Sequence, residues 1–157
     1  MTEIPVLFLD FDGVLHPVGE PALDEHCRLI ENPGLFIWRP IPEALLTPYP
    51  AVRIIVSSNW RRLFDDATLI RLLGRLGNRF VGVVESYGAC RSEEILMDVR
   101  RRKIIHWLAI DDHPSVVRAQ AEEHRFIAWD SARDLNDEVV RRTLRVTLSA
   151  FPGTLAT

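Results

Sequence analysis

The chain alternates between short, largely apolar runs and longer stretches in which apolar residues recur every three or four positions. The runs of strand length are residues 4–9, 52–56, 80–84, 104–110 and 125–129. Most of them are apolar throughout instead of at alternate positions, which is typical of strands buried on both faces of a parallel sheet. The pattern therefore predicts a five-stranded, mostly parallel sheet.

Helical patterns lie between these runs. One of them has apolar residues at helical spacing, namely Leu63, Ala67, Ile70, Leu73 and Leu76. Residues 92–102 have glutamates in their first turn and arginines in their last, which suits the helix dipole, and residues 114–123 begin with proline. A last helix is predicted over residues 135–148. This alternation predicts a doubly wound, Rossmann-like α/β domain with helices on both faces of the sheet.

One segment, residues 16–52, interrupts the alternation. It contains seven of the ten prolines of the chain and too few regular patterns for a second domain. Residues 42–46 are predicted as a short helix, and the rest, including Trp38, as an irregular insert. The insert either lies over a site or forms a surface loop with a hydrophobic anchor. We therefore predict one domain over residues 1–157, with an irregular insert at about 16–52 and no large cap domain.

Composition and charge limit the classes of protein to which this chain can belong. The net charge is −3, which argues against broad nonspecific binding of nucleic acid. The two cysteines, Cys27 and Cys90, do not have the spacing of metal ligands, which favours a reduced, cytoplasmic protein. The first residues do not resemble a signal peptide, and no apolar run approaches the about 18 residues of a membrane span. We therefore expect a cytoplasmic protein with no membrane partner.

Polar residues follow the predicted strands at their carboxyl ends, where open parallel sheets bind their ligands. They are Asp10, Ser57, Ser58, Asn59, Glu85, Ser86, Asp111 and Asp112. Each residue taken alone is a common loop former or helix cap. Together they predict one site at this edge of the sheet.

The carboxylates of this set indicate metal-assisted phosphate chemistry. Asp10, Asp12, Asp111 and Asp112 would repel one another unless a cation lay between them, and hard oxygen ligands suit Mg²⁺. One carboxylate can then attack phosphorus, while a second one protonates the leaving oxygen and later activates water. Residues two apart on a strand point to the same side, so Asp10 and Asp12 are expected to share a face. Gly13 allows the chain to turn sharply after them.

Two other uses of this pattern fit the sequence less well. A calcium-binding EF-hand loop that began at Asp10 would need glycine and glutamate where the chain has Leu15 and Pro21. A response-regulator receiver would carry its phosphate-accepting aspartate after the third strand. That strand is followed here by Glu85 and Ser86, and the tandem aspartates follow the fourth.

The segments FLDFDGVL, VRIIVSS and WLAIDDHP resemble the first, second and fourth motifs of the haloacid dehalogenase-like (HAD) superfamily of phosphatases and phosphotransferases. The resemblance covers residues 6 to about 130, with the motifs in the family order, a minimal cap and a fourth motif of the DD type.

The resemblance implies Asp10 as the nucleophile, Asp12 as the general acid and base, and Ser57 as a ligand of the phosphoryl group. It also implies Mg²⁺ held by Asp10, the backbone carbonyl of Asp12, and the pair Asp111 and Asp112. Either member of the pair can touch the metal in proteins of this type. We favour Asp112 as the direct ligand, with Asp111 acting through water or hydrogen bonds.

The third motif departs from the family, which normally has a lysine that neutralises the phosphoaspartate. The single lysine, Lys103, precedes the fourth strand, about 20 Å from the predicted site at about 3.3 Å per residue. Arg91 lies between the third strand and the next helix, so we predict that it replaces the lysine. Ser58, Asn59 and Arg61 are predicted to bind the substrate.

Some neighbouring residues have simpler interpretations. Trp60 is predicted to pack in the core. His16 and His113 flank the motifs, and a histidine in such a position more often has a structural role than a chemical one.

Two classes of function stay open. The first is a Mg²⁺-dependent phosphohydrolase that works through an aspartyl phosphate, and the second is a catalytically silent binding or regulatory module that lacks the third-motif lysine. The second and fourth motifs resemble the polynucleotide 3′-phosphatase and RNA-repair branches of the superfamily. A small cap also suits large phosphorylated substrates, either nucleic-acid ends or phosphoproteins, although the acidic net charge argues against nucleic acid.

Overall fold

The computed structural model describes residues 3–16, 24–26, 28–30, 35–128 and 138–151. The strands in these ranges are β1 (Val6–Leu9), β2 (Arg53–Val56), β3 (Phe80–Val83), β4 (Trp107–Asp111) and β5 (Phe126–Ala128). They form one sheet in the order β3-β2-β1-β4-β5, and every neighbouring pair is parallel. The predicted five-stranded α/β sheet is confirmed, and within the described residues it is parallel throughout.

Helices cover both faces of this sheet. They are α1 (Pro40–Leu46), α2 (Asp66–Leu72), α3 (Arg91–Arg102), α4 (Pro114–Ala119) and α5 (Glu138–Ser149). Leu7 and Leu9 of β1 pack in one buried cluster with side chains of α1, α2 and α5. Phe8, which lies between them, packs in a second cluster with side chains of α3 and α4. This alternation along a fully buried strand explains why β1 is apolar at every position.

The helix predicted across Leu63–Leu76 is the main correction to the element bounds. Here α2 ends at Leu72 and a separate 3₁₀ turn, Gly74–Arg79, follows it. Arg39 donates a hydrogen bond from Nη1 to the carbonyl oxygen of Leu72 at 2.8 Å, which satisfies a carbonyl at the end of α2. Gly74 then adopts a left-handed conformation with φ of +60°, which breaks the helical path.

The part of the insert closest to the site is fixed to the loop that follows β1. The backbone N–H of Trp38 donates to the carbonyl oxygen of Leu15 at 2.9 Å, and Phe36 is buried. Within the described residues there is no large cap domain over the sheet. The prediction of a single domain over residues 1–157 stays a prediction. Cys27, residue 129 of the predicted fifth strand, and residues 135–137 of the predicted last helix lie outside the described residues.

In the described part of the chain, no helix has the length and apolarity needed to cross a membrane.

Candidate active site

Three carboxylates meet at the carboxyl edge of the sheet. Asp10 directly follows β1, Asp111 ends β4, and Asp112 comes next in the chain. The two strands are neighbours with Leu9 beside Ile110, so the register brings the carboxylates together. One oxygen from each lies within 4.8 Å of the others, and Asp10 and Asp111 are buried while Asp112 is half-buried. These are hard oxygen donors at a spacing that fits a divalent cation such as Mg²⁺.

The electrostatics of this cluster favour the entry of a cation. Burial raises the pKa of Asp10 well above its ordinary value, and the negative charge of Asp111 raises it further, while Arg91 acts in the opposite direction. Burial also raises the pKa of Asp112. Holding both Asp10 and Asp112 ionised is costly without a compensating charge, and a metal ion would supply that charge.

Asp111 is already held by the protein on both of its oxygens. Oδ2 accepts hydrogen bonds from Arg91 Nη1 at 2.8 Å and from Ser57 Oγ at 3.2 Å. Oδ1 accepts one from the backbone N–H of His113 at 2.9 Å. Asp112 has the more accessible carboxylate of the pair. The choice of Asp112 as the direct metal ligand stays a prediction, and this arrangement supports it.

Arg91 brings its charge into the same cluster. It is the first residue of α3, it is only 6% exposed, and its Nη1 lies 3.5 Å from Asp10 Oδ1. Its Nη2 donates a hydrogen bond to Asn59 Oδ1 at 3.1 Å. Burial acts to lower the pKa of Arg91, but the carboxylates of Asp111 and Asp10 outweigh it and raise the pKa. Lys103, by contrast, is exposed at the far end of α3 and adopts a left-handed conformation.

Asp12 is not one of the three clustered carboxylates and is held by its own donors. The chain has left β1 and turns at Gly13, whose φ is +76°, so the alternation of side chains along a strand does not apply to Asp10 and Asp12. The Asp12 carboxylate instead accepts hydrogen bonds from Trp60 Nε1 at 3.2 Å and from His16 Nε2 at 2.8 Å. Strand geometry therefore does not carry the expectation that Asp10 and Asp12 share a face, and that expectation stays a prediction.

The loop after β2 supplies the remaining predicted residues. Ser57 is buried against Asp111, and Ser58 Oγ accepts a hydrogen bond from Trp60 N at the start of the 3₁₀ turn Asn59–Arg62. Asn59 is exposed apart from its bond to Arg91.

Arg61 lies beneath this loop. It donates from Nε to the carbonyl oxygen of Val84 at 2.8 Å, and its Nη2 lies 3.4 Å from Glu94 Oε1. Burial lowers the pKa of Arg61 to about 10. These contacts favour a structural role for Arg61, and its predicted contact with substrate stays a prediction.

Residues 6–140 match the model of one protein family, described as the HAD domain in Swiss Army Knife RNA repair proteins. The chain belongs to this family. The match confirms the resemblance of the sequence to the HAD superfamily and covers every strand of the sheet. No curated protein and no solved structure matches the chain.

Two contacts of this HAD domain were not expected from the sequence. Trp60 was predicted only to pack, and His16 was given no partner, yet both donate to Asp12. The position of His16 four residues after Asp12, across a turn at a glycine, is the one signal in the sequence that points to this pairing. Trp60 comes from a distant part of the chain, so its contact with Asp12 depends on the packing of the loop after β2.

Proposed function

We propose that this HAD domain is a Mg²⁺-dependent phosphohydrolase that cleaves a phosphomonoester through an aspartyl phosphate on Asp10. The observation that carries the proposal is the convergence of Asp10, Asp111 and Asp112 within 4.8 Å, with Arg91 against two of them. HAD domains are generally hydrolases, phosphatases among them, which agrees with this chemistry.

The residues that would hold Mg²⁺ are Asp10, Asp112 and the backbone carbonyl of Asp12, with Asp111 supporting them through its hydrogen bonds. When bound, the ion offsets the carboxylate charge and stabilises negative charge on the phosphoryl oxygens. Arg91 and the Ser57 hydroxyl lie beside Asp10 and Asp111 and are proposed to contact the same phosphoryl group.

The reaction of the chain has two displacements at phosphorus. In the first, a carboxylate oxygen of Asp10 forms a bond to phosphorus while the bond to the leaving oxygen breaks, and Asp12 gives that oxygen a proton. In the second, Asp12 takes a proton from water as the water oxygen attacks phosphorus. The bond to Asp10 then breaks, which releases inorganic phosphate and restores both carboxyl groups to their starting states.

The substrate we propose is a phosphorylated nucleic-acid end. Its support is the family, whose description refers to RNA repair, and the absence of a large cap among the described residues. A phosphoprotein is the alternative large substrate. Asn59 is the predicted substrate-binding residue best placed to reach it, because Ser58 and Arg61 are buried. The proposed place of action is the cytoplasm.

The test is release of phosphate from p-nitrophenyl phosphate and from 3′- and 5′-phosphorylated RNA oligonucleotides, with Mg²⁺ and with EDTA. Wild type is expected to release phosphate only with Mg²⁺, and Asp10→Asn to release none. Asp66→Asn, the same substitution at an exposed position of α2, is the matched control and keeps full activity. Activity that persists in Asp10→Asn would rule out the aspartyl phosphate.

A catalytically silent binding module is the second candidate. Its support is that Arg91, whose positive charge lies against the carboxylate cluster, is already paired with Asp111 at 2.8 Å. Beryllofluoride mimics a phosphoryl group on aspartate and separates the two candidates. If Asp10 accepts a phosphoryl group, beryllofluoride with Mg²⁺ raises the melting temperature of wild type and leaves that of Asp10→Asn unchanged. No shift in wild type would favour the silent module.

A further inference from the structure

The side chain of Asp12 is held by two donors that come from different parts of the chain. His16 Nε2 lies 2.8 Å from Asp12 Oδ1, and Trp60 Nε1 lies 3.2 Å from each carboxylate oxygen. Both donors are buried, with His16 0% and Trp60 1% exposed. When Asp12 is ionised, its carboxylate can only accept hydrogen bonds, so in that state both groups donate to it.

The two oxygens of Asp12 are held unequally. Oδ1 accepts from both His16 and Trp60, whereas Oδ2 shares only the longer bond of the indole. The side chain of Asp12 is 37% exposed, so its carboxylate is accessible from solvent. Oδ2 is therefore the oxygen with the greater freedom to exchange a proton with another molecule.

Aromatic packing fixes the positions of these two donors. The ring of His16 lies 5.1 Å from that of Phe36 and 5.3 Å from that of Trp60, measured between ring centroids. Phe11 also packs on Trp60, with 5.5 Å between the ring centroids. Phe36 belongs to the insert, so this part of the insert helps to hold the donors against Asp12.

The burial of His16 has a cost that packing alone does not explain. Among the described residues, its Nδ1 is a buried polar atom without a hydrogen-bond partner. An apolar side chain would fill the same space among aromatic rings without that penalty. The contact of Nε2 with Asp12 is the feature that only the imidazole provides.

We propose that His16 and Trp60 are positioning residues for the general acid, which hold Asp12 so that Oδ2 meets the leaving oxygen of the substrate. This inference rests on the proposed function and deepens it, since it concerns the same reaction. A misplaced acid matters little when the leaving group departs easily and much when it does not. The expected signature is therefore a loss of activity that grows with the basicity of the leaving group.

The experiment compares p-nitrophenyl phosphate with phenyl phosphate, whose leaving group is more basic. His16→Leu and Trp60→Phe remove one donor each while they keep an apolar or aromatic side chain. We expect kcat/KM to fall by about 10-fold or more with phenyl phosphate, and clearly less with p-nitrophenyl phosphate, as general acids contribute about 100-fold or more. His16→Gln, whose amide N–H can replace Nε2–H, is expected to recover most of the lost activity.

The matched control is Phe64→Leu, which disturbs the packing on Trp60 at 5.6 Å without removing a donor to Asp12. Phe64→Leu is expected to change kcat/KM for both substrates by the same factor. If His16→Leu and Trp60→Phe also lower kcat/KM equally for both substrates, the two residues are structural and the inference is wrong. If wild type releases no phosphate from either substrate, the proposed function itself fails, and the positioning role fails with it.

A spectroscopic readout keeps the inference open to refutation even if His16→Leu does not fold. The indole N–H resonance of Trp60, assigned by its loss in Trp60→Phe, reports the hydrogen bond to Asp12. Asp12→Asn removes the charge of the acceptor, so this resonance is expected to move upfield. A resonance that does not move would contradict the contact on which the inference depends.

Discussion

The side chain of Arg91 contacts more than one carboxylate. It begins α3, lies at the edge where β1 and β4 end, and contacts both Asp111 and Asp10. A guanidinium has several N–H groups in one plane, so it can hold Asp111 and Asn59 through different nitrogens and still approach Asp10. A lysine at this position would offer a single nitrogen for the same partners.

The role of Arg91 can be separated from that of Lys103 by activity. Arg91→Ala is expected to lower kcat/KM for p-nitrophenyl phosphate by about 100-fold or more, the usual cost of losing a group that stabilises transition-state charge. Arg91→Lys keeps the charge and is expected to retain part of the activity. Lys103→Ala is the control and leaves kcat/KM unchanged, because α3 separates the two residues by about 18 Å at about 1.5 Å per residue. If Lys103→Ala lowers kcat/KM and Arg91→Ala does not, Lys103 has the third-motif role.

Asp10 is expected to destabilise the metal-free protein. Asp10 is 4% exposed and lies beside Asp111, and burial opposes the ionisation of its carboxyl group. Asp10→Asn removes the charge and keeps the oxygen that accepts from the Phe11 N–H. We expect it to raise the free energy of unfolding in EDTA by about 1 kcal/mol, measured by urea denaturation.

In saturating Mg²⁺ the order should reverse, because only wild type gains the full free energy of metal binding. Asp66→Asn serves again as the surface control and changes neither value. If Asp10→Asn is less stable than wild type in EDTA, the burial of this charge is compensated by contacts that the amide cannot make.

At the scale of elements, the loop after β2 is attached to β3 and α3 through Arg61. Its guanidinium donates to the carbonyl oxygen of Val84 just after β3, and to that of Ser58 at 3.1 Å. It also pairs with Glu94 of α3, which is 2% exposed. The positions of Ser57 and Trp60 thus depend on an ion pair beneath them.

Breaking this buried ion pair is expected to lower the stability of the fold more than the affinity for substrate. Arg61→Ala leaves Glu94 without its buried partner and should lower the free energy of unfolding by about 3 kcal/mol. Arg62→Ala is the matched control, since Arg62 also lies near Glu94, at 3.7 Å, but is 54% exposed. It is expected to change stability by less than about 1 kcal/mol. A rise in KM without loss of stability in Arg61→Ala would support the substrate-binding role that the sequence predicted.

The elements that could be predicted from sequence are those fixed by local patterns. Continuous apolar runs predicted the strands, and polar residues at their ends placed Asp10, Ser57 and Asp111 at one edge because parallel strands end together. The helix after β2 was predicted too long, because its end depends on Arg39, a residue far away in the sequence. The contact of Asp12 with Trp60 was missed for a similar reason, because only tertiary packing brings Trp60 close to it.

At the scale of the whole molecule, the net charge of −3 limits how the protein can hold nucleic acid. An acidic protein gains little from long-range attraction to a phosphate backbone. If the substrate is an RNA end, recognition must then come from the terminal phosphate and few other contacts. Arg91 lies against the carboxylate cluster, where the proposed function has it contact that one phosphate.

The salt dependence of turnover tests this conclusion. For a phosphorylated RNA oligonucleotide, a plot of log kcat/KM against log salt concentration is expected to have a slope of about −1, as for one or two phosphate contacts. The same plot for p-nitrophenyl phosphate provides the baseline. A slope of about −4 would indicate that the protein follows several backbone phosphates and that a basic surface contributes to binding.

The central place of β1 in the sheet has a consequence for how the protein folds. β1 pairs on one side with β2, which begins at Arg53, and on the other with β4, which begins at Trp107. Both pairings close long stretches of chain, and such distant contacts are slow to form. During synthesis, Asp111 and Asp112 emerge about 100 residues after Asp10. Asp10 therefore gains its carboxylate partners only when β4 joins β1, so a chain that has not finished folding has no assembled site.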